Sequence, residues 1–170
     1  MILEMSTAAF TLVHTVLSLV GILAGLVVLL GMFGSNRLPG WTVVFLATTV
    51  LTCVTGFFFP RDQILPSHIV GIITLVVLAV AIVALYAYRL AGAWRWIYVG
   101  SAVLSLYLNV FVAVVQAFLK VPFLNGLAPT QSEPPFAIAH GIVLVVFIVV
   151  GILALRSFHP ETKTGALSMA

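Results

Sequence analysis

The stretch MSTAAFTLVHTVLSLVGILAGLVVLLGMFGSN, residues 5–36, runs from Glu4 to Arg37 without a formal charge. At 1.5 Å per residue a helix needs about 20 residues to cross a hydrocarbon core of about 30 Å, and this stretch exceeds that length. The same reading extends along the chain. The eleven charged side chains (Glu4, Arg37, Arg61, Asp62, Arg89, Arg95, Lys120, Glu133, Arg156, Glu161 and Lys163) leave four more uncharged runs, residues 38–60, 63–88, 96–119 and 134–155. Runs of this length are far too long for barrel strands of about 10 residues, and a lipid core leaves backbone groups no partner but their own helix. The expected fold is therefore all-α: a polytopic membrane protein, one integral domain over 1–170, with five transmembrane helices at about 8–33, 41–59, 67–89, 96–119 and 135–156.

Composition agrees. With 63% hydrophobic and only 6% charged residues, the chain cannot cover a water-facing surface. The lipid bilayer is its expected partner. The net charge of +3 is scattered over the connections and forms no basic patch interleaved with aromatics, so no nucleic acid is expected. Cys53 is the only cysteine, which excludes an internal disulfide and a cysteine metal cage. The first apolar run lacks a basic n-region and is too long for an h-region, so it reads as a retained helix rather than a signal peptide.

Charge also orients the chain. With the N-terminus outside, Arg37, Arg89, Arg95, Arg156 and Lys163 fall on the inner side and only Arg61 and Lys120 on the outer side, as the positive-inside rule requires. Trp41, Trp94, Trp96 and Tyr98 then lie at the inner boundary, where amphipathic aromatic rings anchor helices. The longest connection, Lys120 to Pro135, carries Pro122, Pro129, Pro134 and Pro135 and reads as an outer loop of restricted backbone freedom.

An internal repeat appears once the spans are aligned: His14, His68 and His140 each stand near the start of an odd-numbered span. Spans one and two resemble spans three and four, and span five is a third half-repeat, so the hairpin repeats run parallel. The C-terminus lies inside. Alternation then places the three histidines in one layer under the outer surface. On the first helix Thr7, Thr11, His14, Ser18, Gly21 and Gly25 share an arc of roughly 80°, which puts His14 on the face that packs against another helix. On the fourth, Tyr98, Ser101, Ser105, Asn109 and Gln116 form a second polar stripe, with Gln116 at the histidine layer; Thr48, Thr52 and Thr55 form a milder one on the second.

Imidazole ligates iron, copper and zinc and titrates near neutrality, so the layer suggests a cofactor site. Three versions stand: a haem b held by two histidines, a transition metal held by His14, His68 and His140, and a quinone pocket with a histidine donor. Asn109 and Gln116 are the expected pocket groups. The competing reading gives each histidine a backbone carbonyl or water as its partner, and makes the serine and asparagine stripe helix-packing glue. Two further functions remain open, an accessory subunit of a larger membrane complex and an ion or proton path along the fourth helix. No serine, cysteine or carboxylate stands beside a histidine at the spacing of an activated nucleophile, so hydrolysis is not expected.

At TGFFFP (Thr55–Pro60), GAWRWIYV (Gly92–Val99), LYLNVFV (Leu106–Val112), QAFLKVP (Gln116–Pro122) and APTQSEPPF (Ala128–Phe136) the chain resembles a family of small bacterial multi-pass membrane proteins. That resemblance implies a cell inner membrane location. It carries no established activity, so it assigns no residue a role.

Overall fold

The computed structural model describes residues 6–59 and 66–160; Glu4, the Pro60–Arg61–Asp62 turn, Glu161 and Lys163 lie outside the described residues. The chain forms α1 (Thr7–Phe33), α2 (Pro39–Gly56), α3 (Pro66–Ile82) continued by a π-helical turn (Val83–Ala87), α4 (Trp94–Lys120), a short α5 (Pro122–Leu127) and α6 (Pro134–Ser157). Among the described residues all regular structure is helical, and five helices are long and apolar enough to cross a membrane. The protein is a multi-pass membrane protein.

Local chemistry sets the helix ends. Ser6 caps α1 by accepting from the Ala9 N–H at 3.2 Å, satisfying one of the amides that a helix start leaves without a partner. Pro39, Pro122 and Pro134 open α2, α5 and α6, where a missing N–H costs nothing and the fixed φ suits a first turn. Pro122 also removes the amide that would extend α4 beyond Lys120. Part of the connection expected to be a loop is thus the helix α5.

The helix α4 is the hub, in contact with α1, α3, α5 and α6, while α2 packs against α1 and α3. The contacts pair opposite ends of neighbours. His14 near the start of α1 meets Thr55 near the end of α2, and Phe118 near the end of α4 meets Phe136 near the start of α6. The core gathers Val28 and Met32 of α1, Phe45 of α2, Leu78 of α3 and Val99 and Leu106 of α4. Beyond it, Ile138, Ile142 and Val145 on α6 each stand 60% exposed. Such a surface is unfavourable in water but costs nothing against acyl chains.

At the end opposite the histidines, Ser35 donates to the Ser157 carbonyl at 2.6 Å, and its hydroxyl oxygen accepts from the His159 N–H at 3.0 Å. Arg95 Nη1 donates to the Phe158 carbonyl at 2.8 Å. These bonds hold the chain after α6 against the α1–α2 turn and the start of α4. Tyr98, on the polar stripe of α4, is 2% exposed and lies against the buried Phe158. The segment after α6 folds back to cover it, a contact between residues 60 positions apart that helix periodicity does not report.

Candidate functional site

His14 lies on the face of α1 that also carries Ser18 and the buried Gly21 and Gly25. Its Nδ1 stands 2.8 Å from Thr55 Oγ1. The Thr55 hydroxyl points its hydrogen to the Leu51 carbonyl at 2.7 Å, so it accepts from the imidazole Nδ1–H. The ring also meets the edge of Phe59 at 5.3 Å, and Phe59 in turn meets Phe10 at 5.1 Å. Gly56 lies beside the ring, and a Cβ there would make an ordinary van der Waals contact with His14 Cε1 at 3.7 Å.

His68, in the first turn of α3, stacks on Phe57 just beyond the end of α2, with centroids 5.5 Å apart and planes 18° from parallel. His140, in the second turn of α6, sits between Phe111 of α4 and Phe136 of its own helix, at 4.4 and 4.3 Å. Its Nδ1 lies 3.1 Å from the Phe136 carbonyl. A carbonyl only accepts, so Nδ1 carries the proton and Nε2 the lone pair. That Nε2 is buried and has no hydrogen-bond partner.

The three rings belong to three separate contacts. His14 and His68 border the end of α2, whereas His140 is held by α4 and α6. Among the described residues no group of three His, Cys, Asp or Glu side chains could hold a metal ion. Each ring is instead packed on phenylalanine: His14 on Phe59, His68 on Phe57, and His140 on Phe111 and Phe136. The sequence strings held these phenylalanines; helical spacing pairs Phe136 with His140, four residues on, but nothing in it pairs Phe57, Phe59 or Phe111 with a histidine.

Asn109, expected as a pocket group, is 6% exposed and accepts from the Ser18 hydroxyl at 3.0 Å. This bond ties the polar face of α1 to that of α4. Gln116 is half-buried two turns on, and the neighbouring Val115 carbonyl accepts from Gln131 Nε2 at 3.0 Å, which pins the α5–α6 connection onto α4. Thr48, Thr52 and Thr55 donate to carbonyls one turn back on α2, leaving their oxygen lone pairs directed outward. The polar seam closes one turn below Gly21. There Phe45 and Leu106 press on Gly25 beside an apolar cavity of about 10 Å³, scarcely room for one water.

No family model, curated protein or solved structure matches the chain. The roles of these residues therefore rest on geometry.

Proposed function

We propose that the protein sits in a bacterial inner membrane with its N-terminus outside and its C-terminus inside, as two and a half parallel helical hairpins. At its outer, histidine-bearing end it binds a haem, a transition-metal ion or a quinone for electron transfer or metal handling. One observation carries the binding reading. His140 is anchored through Nδ1–H to the Phe136 carbonyl, and the lone pair of Nε2 is buried without a donor. A second-nitrogen anchor of this kind fixes the tautomer and ring orientation of histidines that ligate metals, and it suits equally a quinol hydroxyl donating to Nε2.

The distribution of Arg and Lys supports the orientation, and the like placement of His14, His68 and His140 near the starts of odd-numbered spans supports the repeat. The test is an absorption spectrum, metal analysis and quinone assay of the detergent-purified protein beside its H140A variant. A Soret band, a stoichiometric metal or a co-purified quinone, lost or shifted in H140A, is expected. Colourless, metal-free and quinone-free protein overturns the reading.

A second reading is favoured by α6. Its only fully buried residue is Ala154, and while one face packs on α4 the opposite face is open, as for a helix that completes its contacts on another membrane subunit. An accessory subunit would co-purify with a partner in mild detergent, and cross-links from residues 138, 142 and 145 would reach that partner. A stable monomer with no cross-links from α6 argues against it.

A further inference from the structure

Two polar groups at the meeting of α1, α2 and α4, Asn109 Nδ2 and Thr49 Oγ1, have no hydrogen-bond partner although their residues are only 6% and 1% exposed, and the buried Ser105 Oγ, one turn from Asn109 on α4, has none either. The first two aim at one place. The point where a side chain on Gly21 would begin lies 3.1 Å from Thr48 Oγ1, 3.1 Å from Thr49 Oγ1 and 3.2 Å from Asn109 Nδ2. The glycine leaves these atoms facing one another across its bare backbone. Asn109 Oδ1 is already taken by Ser18, and the Thr48 hydrogen by the Val44 carbonyl. What the junction offers is therefore an amide N–H and the Thr49 O–H to give, and the Thr48 lone pair to receive.

We infer that this junction is a buried hydration site, holding a single water that accepts from Asn109 Nδ2 and from the Thr49 hydroxyl and donates to Thr48 Oγ1. Three hydrogen bonds are what buried waters typically make, and buried polar groups left without protein partners are where they sit. A cation finds an N–H where it needs an oxygen, and no carboxylate stands nearby to offset its charge. Anions lack a basic residue there, and a larger molecule would crowd the polar atoms that already stand close around Gly21. Water reaches the site from the histidine end, where Ser18, Thr52, Thr55 and His14 are half-buried and polar, because Phe45 and Leu106 close the seam on the other side.

This inference is independent of the ligand proposed at His140. Its test uses the full-length protein, labelled with ¹⁵N at asparagine, in bilayers of one synthetic phosphatidylcholine. Solid-state NMR then follows polarisation transfer from water to the side-chain amides of Asn36, Asn109 and Asn125, with the exposed Asn36 as the hydrated reference. Transfer to Asn109 is expected in the unaltered protein. It should be lost in Gly21→Ala, whose methyl occupies the site, and weakened in Thr49→Val, which keeps the shape and removes one donor; Asn36 should be unchanged in both. If Asn109 receives no transfer, or receives it equally in Gly21→Ala, the site is not hydrated. An Asn109 signal that moves only after a cellular lipid extract is added overturns water in favour of a lipid-soluble hydroxyl or carbonyl compound.

Discussion

Substituting Gly25 by alanine tests the packing that brings the polar seam together. A Cβ at that position would stand 2.6 Å from Leu106 Cδ1 and 2.9 Å from two carbons of the Phe45 ring. Carbon atoms rest at about 3.5–4.0 Å, so α1 must move by roughly 1 Å from α2 and α4 or both side chains must leave their rotamers. Both side chains are closely packed: Leu106 is 2% exposed, Phe45 is 1% exposed, and the adjoining cavity of about 10 Å³ is scarcely room for one water. Overpacking of this kind costs about 1–3 kcal/mol, and the better helix propensity of alanine offsets up to about 1 kcal/mol of that.

With the full offset the expected net loss centres on about 1 kcal/mol, roughly a fivefold shift in the folding equilibrium. It can be read from SDS titration in bicelles, monitored by far-UV circular dichroism. Gly100→Ala and Gly141→Ala serve as controls, since a Cβ at either meets nothing within 4 Å. They should be neutral or slightly stabilising. Combining G25A with L106A should cost less than the sum of the two, because the second change vacates the volume that the first requires. If G25A unfolds at the same SDS fraction as Gly100→Ala, the close approach of the three helices at Gly25 is not real.

Ser18→Ala removes the donor to Asn109 Oδ1 and should cost about 0.6 kcal/mol in the same titration, a typical value for interhelical hydrogen bonds in lipid, with no cost in an Asn109→Leu background. Arg95→Gln removes the charge-assisted bond to the Phe158 carbonyl; at this half-buried position about 1 kcal/mol is expected, read as faster proteolysis just beyond α6. Glu133 precedes α6 in the loop. Desolvation raises its pKa, but the Thr130 hydroxyl and the backbone N–H groups around it outweigh this and hold the carboxyl below its ordinary value. A depressed folded pKa means that the loop's stabilisation is complete above the ordinary carboxylate pKa and disappears as pH falls through the lowered one. NMR titration of the Glu133 carboxyl should show that lowered midpoint, and Thr130→Val should move it upward; an ordinary midpoint in the unaltered protein would contradict the hydrogen-bonded loop.

Much of the fold was legible along the chain because lipid imposes one rule on every span. Backbone groups must bond within their own helix, so charge-free length alone announces a helix, and five apolar runs became five long helices. Periodicity added facing for α1, whose arc from His14 to Gly25 does meet α2 and α4, through the Thr55 bond, the Ser18 bond and the Gly25 contacts. The short helix at Pro122 was not legible, since four prolines in sixteen residues read as loop although Pro122 opens α5 among them.

The sequence by itself determined that this protein lives in a membrane, where its spans lie, and which residues are too polar to face lipid without cause. Only the tertiary structure decided what those residues touch. A helix leaves its rotation and its neighbour to packing among nearly equivalent apolar surfaces, and Leu, Ile and Val gain little by choosing one apolar contact over another. Small decisions made the choice instead: a glycine admitting Phe45 and Leu106, a serine reaching Asn109, and a separate phenylalanine partner for each of the three histidines.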